Sequence, residues 1–437
     1  MGSGTGAARG GSPRPGGADG GRGWSRRRFV GAIGTLGGAT AASALAGCAG
    51  DGDGGDGSAA SRETPQAAPP GQPSSSGPSS SGPSSSAAPA TTPGASGPRP
   101  LYLGTYTSAE GGGKGVGVAS YDPASGRITG GGTITGVPDP SYLAVHPDGR
   151  TLYAVNERDR GAVTAVRLAD RTVLGSRATG GAHTCHVSVH PSGRWLLSAD
   201  YGSGSVTVHP IAASGALGER TDHVTHRRPA PRSGQRGPHA HQFVTAPDGG
   251  HVIAVDFGTD TVYSYRLDGK AGTLTEVAQA HTRAGAGPRH LVFHPGGRYA
   301  YLANEADDTL AVCAYDASSG RLTIGRPQST GAKADVNYPA QPALTPDGRF
   351  AFLANRGDNS LARYAVEQDG ARLRLLGTVP VEGDFPRQIA LSPDGGLLFA
   401  ANQRSGTVSV FRVDAGGELR LAGEPFASPV AVCALPL

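Results

Sequence analysis

The sequence has little charge, few cysteines and no long hydrophobic run. Charged residues make up 17% of its 437 residues, the formal net charge is +4, and no basic run is interleaved with aromatic residues, so nucleic-acid binding is not expected. The four cysteines lie far apart without a Cys-x-x-Cys pair, which excludes zinc-ligand spacing and favours buried free thiols. The apolar stretch at residues 31–47 is too short and too rich in Gly and Ala to span a membrane.

The first hundred residues instead have the composition of an export signal followed by a tether. The basic segment at residues 26–29 before a weakly apolar stretch is typical of a twin-arginine signal. Residues 45–48 (LAGC) resemble a bacterial lipobox, in which Cys48 is lipidated and becomes the mature N-terminus. We predict a lipoprotein signal at 1–48 and a disordered Gly/Ser/Pro-rich tether at 49–98, which together export the protein and hold it on the outer face of the cell membrane. A disordered tail that contains these residues by chance is the alternative.

From Leu101 onward the chain repeats a short turn motif of the type His-Pro-Asp-Gly-Arg. The turn prolines are 44 to 56 residues apart and stand at positions 147, 191, 247, 295, 346 and 393. Each turn lies between short runs rich in β-branched and aromatic residues, with four such runs in each repeat and no convincing helical period. Four short strands in roughly 40–50 residues are typical of a propeller blade.

Six turns indicate six blades, and the two ends of the chain supply a seventh. Residues 101–106 align with the second strand of a blade, and the C-terminal run 429–435 has the character of the missing first strand. We therefore predict an all-β, seven-bladed β-propeller over 99–437, closed by pairing of the C-terminal strand with the N-terminal blade, which leaves no exposed sheet edge. A pair of β-sandwiches or a β-helix would not explain the spacing of the turns.

The ends of the first two strands of each blade predict a site at one mouth of the central channel, because those strands are antiparallel and the first lines the channel. Six residues before each proline stand Ser141, Cys185, His241, Arg289, Ala340 and Arg387. Five before it stand Tyr142, His186, Gln242, His290, Gln341 and Gln388. Ten after it stand Glu157, Tyr201, Phe257, Glu305, Arg356 and Gln403, with Tyr106 in the shared blade. Convergent polar groups with an excess of cations favour an anionic or electron-rich ligand, and a channel plugged by salt bridges is the alternative.

Two further patterns at this mouth are open to a simpler interpretation. The residue nine after each proline is Asn or Asp, and we expect it to bond the local backbone. Arg227, Arg228, Arg232 and Arg236 precede the fourth blade and form either a basic rim or a solvated loop.

In chain order, one short motif per blade resembles the lactonase family of seven-bladed propellers, which includes propeller-type 6-phosphogluconolactonases and carboxymuconate lactonizing enzymes. The motifs are Tyr102–Thr107, Pro238–His241, Asp256–Gly258, Gly287–His290, Asn304-Glu305, Asn355-Arg356 and Pro386-Arg387. The resemblance implies hydrolysis of a sugar-type or acidic lactone by a His, two Arg and a Glu. Position by position these are His241, Arg289, Glu305 and Arg356, with Arg387 as the rival for the last place.

The chemistry of lactone opening gives these residues roles. His241 would take a proton from the attacking water, the arginines would stabilise the oxyanion, and Glu305 would orient one of them. We expect the substrate to be bound by Glu157, His186, His239, His290, Arg387 and Gln403. No cofactor is required, and no metal is expected because no carboxylate is spaced with the histidine pairs.

The predicted export bears on the partners of the protein. Phosphorylated gluconolactone is a cytosolic metabolite, so an exported enzyme would act on an unphosphorylated or otherwise external lactone. We expect a monomer with a small-molecule lactone as substrate, a membrane surface as its anchor and no nucleic-acid partner. A non-catalytic surface propeller that binds a carbohydrate or a protein is the alternative function.

Overall fold

The computed structural model describes residues 1–2, 97–227 and 237–437. The export signal, Cys48, the tether up to residue 96 and Arg228, Arg232 and Arg236 of the basic connection lie outside the described residues. Contacts divide the chain into Met1–Gly94 and Ala95–Leu437, and every described strand belongs to the second unit. No helix among the described residues is long and apolar enough to cross a membrane.

The described part of the chain is built from short strands and one 3-10 turn at Gln368–Gly370. In chain order the strands are β1 (Arg99–Thr105), β2 (Val116–Tyr121), β3 (Ile128–Ile134), β4 (Leu143–Val145), β5 (Thr151–Asn156), β6 (Ala162–Arg167), β7 (Thr172–Ala178), β8 (Thr184–Val189), β9 (Trp195–Asp200), β10 (Ser205–Pro210), β11 (Asp222–Thr225), β12 (Ala240–Thr245), β13 (His251–Asp256), β14 (Thr261–Leu267), β15 (Leu274–His281), β16 (Pro288–Phe293), β17 (Tyr299–Asn304), β18 (Thr309–Asp316), β19 (Arg321–Ile324), β20 (Gln328–Ser329), β21 (Tyr338–Leu344), β22 (Phe350–Arg356), β23 (Ser360–Glu367), β24 (Arg372–Pro380), β25 (Pro386–Leu391), β26 (Leu397–Asn402), β27 (Thr407–Val413), β28 (Leu419–Leu421), β29 (Phe426–Ala427) and β30 (Ala431–Pro436).

These strands form seven antiparallel sheets, numbered here as blades. Blade 1 has the order β3-β2-β1-β30, and blades 2 to 4 are β4–β7, β8–β11 and β12–β15. Blades 5 to 7 are β16–β19, β21–β24 and β25–β28, with the short β20 and β29 added to β18 and β27. The inner strands β30, β4, β8, β12, β16, β21 and β25 contact one another in succession and close the ring. The predicted seven-bladed propeller is confirmed.

The C-terminal strand completes blade 1, as the sequence predicts. β30 runs antiparallel to β1, with Leu101 opposite Pro436 and Leu103 opposite Ala434. This pairing joins the two ends of the chain within one sheet and removes the free inner edge of blade 1.

The core lies between the blades. The described residues bury seven apolar clusters, and each cluster packs two neighbouring blades face to face. Between blades 3 and 4, for example, Trp195 and Val206 pack against Phe243 and Tyr263. Second strands such as β5 (TLYAVN) are buried along their whole length, whereas the outer strand β3 is largely exposed. Burial of apolar area, worth about 25 cal/mol per Å², therefore stabilises the ring at every interface between blades.

The repeated turns lie at the mouth opposite the candidate site, where they link successive blades. His146 Nδ1 accepts from the backbone of its own turn, so its Nε2 donates to the carbonyl of Gly193 in the next turn, at 2.9 Å. His190 makes the same contact to Gly249 at 2.9 Å. His146 and His190 are therefore structural links between neighbouring turns.

Candidate active site

A β-bulge at the start of an inner strand aims the side chains of the candidate site. Strand pairing skips one residue in blades 3, 4, 5 and 7, and these residues are Cys185, His241, Arg289 and Arg387. In blade 6 the skipped pair is Ala340 and Gln341. A bulge leaves its extra residue unpaired and redirects the side chain. The side chains of these bulged residues therefore depart from the regular alternation of their strands.

A left-handed residue precedes several of these bulges by two positions. His183, Gly287 and Phe385, which precede Cys185, Arg289 and Arg387, have φ values between 54° and 64°. Glycine tolerates this conformation best, and a Cβ at Gly287 would lie 2.7 Å from atoms of its neighbours Phe257 and Ala306.

The turn that leads into Arg289 is held by a buried carboxylate. Asp260 accepts hydrogen bonds from the backbone N–H groups of Gly285 and Gly287. The turn therefore fixes the backbone of Arg289 independently of the contacts that its side chain makes.

Two arginines share one carboxylate at the mouth. Glu305 Oε2 lies 3.0 Å from Arg289 Nε and accepts a hydrogen bond from Arg356. Arg289 also donates to the Ala340 carbonyl at 2.9 Å, and Arg356 donates to the Tyr338 carbonyl at 3.1 Å. Both guanidinium groups are about 2% exposed. Burial and the neighbouring Arg356 lower the pKa of Arg289 to about 9 against the opposing effect of Glu305, so Arg289 is still a cation at neutral pH.

A second cluster lies on blades 1, 2 and 7. Glu157 accepts hydrogen bonds from Ser141 and, at 2.8 Å, from the Tyr106 hydroxyl. Arg387 lies 3.7 Å from the same carboxylate oxygen and stacks over the Tyr106 ring at 5.6 Å. Burial would lower the pKa of Arg387, but Tyr106 and Glu157 outweigh it and raise that pKa above its usual value. Arg387 thus pairs with Glu157, whereas Arg356 pairs with Glu305.

Three buried histidines lie beside these cations. His241 Nδ1 is 3.2 Å from His290 Nε2, and the rings of His290 and His186 are 5.4 Å apart. Burial, Arg289 and the other neighbouring cations hold the pKa of His241 and of His290 well below its usual range. Burial followed by Arg289 lowers the pKa of His186 to about 3. All three rings are therefore neutral at physiological pH, and His241 has an unprotonated nitrogen beside Arg289.

The remaining candidate residues are His239, which reaches His241 through Tyr201, and Gln403, whose backbone N–H bonds the Phe385 carbonyl in blade 7. His239 stacks on Tyr201, with ring centroids 4.6 Å apart, and its Nδ1 contacts the Tyr201 carbonyl. Tyr201 in turn meets the His241 ring edge-on at 5.6 Å. The Oε1 atom of Gln403 is buried and has no hydrogen-bond partner among the residues that the structure describes. His239 and Gln403 are both partly exposed, unlike the buried His241 and Arg289.

Residues 100–436 match the sequence profile of the family described as "Lactonase, 7-bladed beta-propeller". The chain belongs to this family. The 6-phosphogluconolactonase of Bacillus subtilis is 32% identical over 290 residues, which cover 65% of this chain and 82% of that protein. A periplasmic gluconolactonase of Pseudomonas aeruginosa superposes with a TM-score of 0.71 at 30% identity, over 78% of this chain and 99% of that one. A Lactobacillus plantarum protein gives a TM-score of 0.73 at 33% identity, over 78% and 99%.

The Asn/Asp column of this lactonase-family propeller bonds local structure. Asn156 donates to the Pro138 carbonyl, and Asp256 accepts from the N–H groups of Gly258 and Thr259. Within residues 97–227 and 237–437, no group of three or more His, Cys, Asp or Glu side chains could hold a metal ion.

Sequence reasoning did not single out several residues that contact the candidate site. Ser141 and Tyr106 hold Glu157, and Gln341 and Tyr142 contact His290 and each other. All four belong to the sequence columns that contain the ionisable candidates. The position of a residue in the repeat could therefore have identified all four. They were missed because the sequence analysis favoured the ionisable residues of each column.

Proposed function

We propose that this chain is an exported lactonase that hydrolyses an aldonolactone or another acidic lactone at the channel mouth. The observation that carries the proposal is the neutral His241 next to buried Arg289, which shares Glu305 with Arg356. The family of the chain and its relatives named 6-phosphogluconolactonase support an enzyme that opens lactones.

Hydrolysis requires a nucleophilic water and stabilisation of the negative charge that forms on the carbonyl oxygen. His241 takes a proton from water as the new C–O bond forms, and the carbonyl oxygen becomes an oxyanion. Arg289 and Arg356 are the donors for that oxyanion, in a site where burial strengthens their field. Collapse of the intermediate breaks the ring C–O bond, and the proton passes from His241 to the departing alkoxide to give the hydroxy acid.

The ion pairs favour His241 over Glu305 as the base. The Oε2 atom of Glu305 is occupied by two guanidinium cations, Arg289 and Arg356. His241 contacts no carboxylate among the described residues, and burial together with the surrounding cations lowers its pKa and keeps it neutral. Glu305 therefore fixes the two arginines, and His241 moves the proton.

The second cluster suits a polyhydroxylated substrate. Glu157 is a hydrogen-bond acceptor and Arg387 a donor, and both have part of their surface exposed, 13% and 16%. Carboxylate and guanidinium groups together match the hydroxyl groups of a sugar ring. The Pseudomonas neighbour named as a periplasmic gluconolactonase supports an unphosphorylated substrate outside the cytoplasm.

The activity test uses the purified full chain in a pH-stat with glucono-1,5-lactone, its 6-phosphate and acid-bearing lactones. We expect hydrolysis above the spontaneous rate and a loss of about 100-fold or more in His241→Gln and Arg289→Met. Arg363→Met is the matched control, because Arg363 is a buried arginine bonded to Gly417 and Glu418 away from the mouth. If wild type and all variants match the spontaneous rate on every lactone, the enzyme proposal fails and a binding propeller is the better description.

We also propose that Cys48 anchors the protein through a lipid, with residues 49–98 as its tether. Replacement of Cys48 by Ala in the producing cell should release the protein from the membrane fraction into the medium. Equal membrane association of both forms would contradict the anchor without affecting the proposed activity.

A further inference from the structure

The amide of Gln341 has a fixed orientation. Its Nε2 donates to the carbonyl of Ile389 at 3.3 Å, and a carbonyl oxygen can only accept. Its Oε1 faces the Tyr142 hydroxyl at 3.2 Å and His290 Nδ1 at 3.1 Å. A flipped amide would set two oxygens against each other at Ile389, so Oε1 is the atom that faces the histidine.

This orientation determines the proton positions on two histidines in succession. Because Gln341 Oε1 is an acceptor, His290 must carry its proton on Nδ1, and its Nε2 then holds a lone pair. His241 Nδ1 lies 3.2 Å from His290 Nε2. It must therefore carry a proton and donate it to the lone pair on His290 Nε2. A neutral His241 with a proton on Nδ1 has its lone pair on Nε2.

We propose that Gln341 and His290 are positioning residues that set the tautomer of His241, so that its Nε2 is the basic nitrogen. The inference rests on the proposed function for its use in catalysis, but the tautomer itself is a property of the free protein. The chain of contacts runs from β25 through β21 and β16 to β12, across four neighbouring blades.

The groups around His241 agree with a proton on its Nδ1. His241 is faced by Arg289, Arg356 and Arg387, which disfavour a second proton on either ring, and by Tyr201. The Cys185 thiol lies 3.9 Å from His241 Nδ1, but it also contacts the carbonyls of Ala240 and His241 at 3.7 and 3.6 Å. Those carbonyls are the natural acceptors for the thiol proton, so the thiol does not compete for Nδ1.

His290 has neighbours of its own on the other side. It is faced by His186, by Arg289 and Arg387, and by Tyr142, whose ring meets it edge-on at 5.9 Å. None of these supplies an acceptor for the Nδ1 proton as close as Gln341 does among the contacts of the described residues.

The test is nitrogen-15 NMR of the full chain with labelled histidine, with the His241 and His290 signals assigned from His241→Gln and His290→Gln variants. Both histidines are expected to show a protonated Nδ1 and an unprotonated Nε2 in the wild-type protein. In Gln341→Met, which keeps the length of the side chain and removes the acceptor, the His241 signal should shift toward the other tautomer. The same variant should lose about 100-fold in kcat with little change in KM, because the base presents a proton to the water.

Gln388→Met is the matched control. Gln388 occupies the same sequence column as Gln341, but its Oε1 accepts from the Ala434 backbone at 2.8 Å and does not bond a histidine among the described residues. Both variants should lower the melting temperature by a similar amount, while only Gln341→Met changes the His241 spectrum and kcat.

The outcomes separate this inference from the proposed function. Wild-type His241 with its proton on Nε2 would overturn the inference whatever the activity, and so would equal spectra and kcat values in the two variants. If the predicted tautomers are observed but no lactone is hydrolysed, the proposed function fails and the tautomer assignment stands.

Discussion

The two arginines that share Glu305 allow opposite effects on stability to be predicted for two substitutions in one contact. In Arg289→Met a buried cation is removed, and Glu305 keeps Arg356 as its partner. The pKa of Arg289 is about 9 against its usual 12.5, and this net lowering, in which burial and the neighbouring Arg356 outweigh Glu305, corresponds to roughly 5 kcal/mol against the charged form. Loss of the hydrogen bond to the Ala340 carbonyl offsets about 1.5–3 kcal/mol of that gain. We therefore expect Arg289→Met to stabilise the protein by about 2–3.5 kcal/mol at neutral pH.

Glu305→Gln is expected to have the reverse effect. It leaves two buried guanidinium groups without their carboxylate, and breaking a buried ionic contact in this way costs about 3–5 kcal/mol. At about 2 °C per kcal/mol for a domain of this size, the melting temperature should rise by about 4–7 °C in Arg289→Met and fall by about 6–10 °C in Glu305→Gln. Both variants should lose lactone hydrolysis, so stability and activity change independently.

Differential scanning calorimetry of the full chain, with Arg363→Met as the control for replacing a buried arginine, measures both shifts. The pH dependence provides a second check on the sign. The folded pKa of Arg289 lies below its unfolded value, so the unfolded chain binds more protons between about pH 9 and pH 12.5. Wild type should therefore gain stability relative to Arg289→Met as the pH rises through that window, with a constant difference below it. A lower melting temperature in Arg289→Met, or none of the expected loss in Glu305→Gln, would refute the reasoning.

Four other outcomes are expected. Because burial and neighbouring cations lower the pKa of His241, kcat/KM should be flat above about pH 6.5 and fall only at more acidic pH, and an acid limb at a higher pH would contradict this. Gly287→Ala forces a side chain into a left-handed turn and should displace Arg289, with a loss of up to about 100-fold in kcat/KM in the pH-stat. His190→Ala should cost about 1 kcal/mol in urea unfolding and leave kcat unchanged, since its link between blades lies at the opposite mouth. Deletion of 431–437 removes β30 and should leave the chain unfolded or aggregated by circular dichroism and gel filtration, whereas a soluble folded product would show that the ring does not need this closure.

The fold could be predicted because the same Pro-x-Gly turn recurs between the first and second strands of the blades. Pro147 and its counterparts fix one end of the first two strands, so the six turns mark six of the seven blades. The closure of the ring could be predicted because the two ends of the chain each contain part of a blade. Residues 101–106 lack a first strand, and residues 429–435 lack the rest of a blade. The strand β30 is confirmed in that place, and its bounds, Ala431–Pro436, differ from the expected run by a residue or two.

The candidate site could be predicted only as a set of positions. Neighbouring residues in a regular strand point to opposite faces, so two consecutive columns could not both contribute to one cluster. The bulge resolves this, because Arg289 is skipped in the pairing and both Arg289 and His290 then contact blade 6, at Ala340 and Gln341. Nothing in the local sequence distinguishes a bulged Pro-Arg-His from a regular one. The pairing of Arg387 with Glu157 rather than Glu305 likewise depends on which blades are neighbours across the ring.

The arrangement of charges connects the ring to its proposed chemistry. Three arginines at the described mouth face two carboxylates, and the buried histidines are neutral, so the clusters hold one positive charge more than they neutralise. Burying an uncompensated cation costs folding free energy, and a rigid ring of seven packed interfaces can tolerate that cost. The charge that would balance it is a single negative one, which is the charge that develops on a carbonyl oxygen when water attacks a lactone. Under the proposed function, a mouth arranged in this way would stabilise the reacting species more than a neutral lactone, which is the condition for catalysis rather than tight binding.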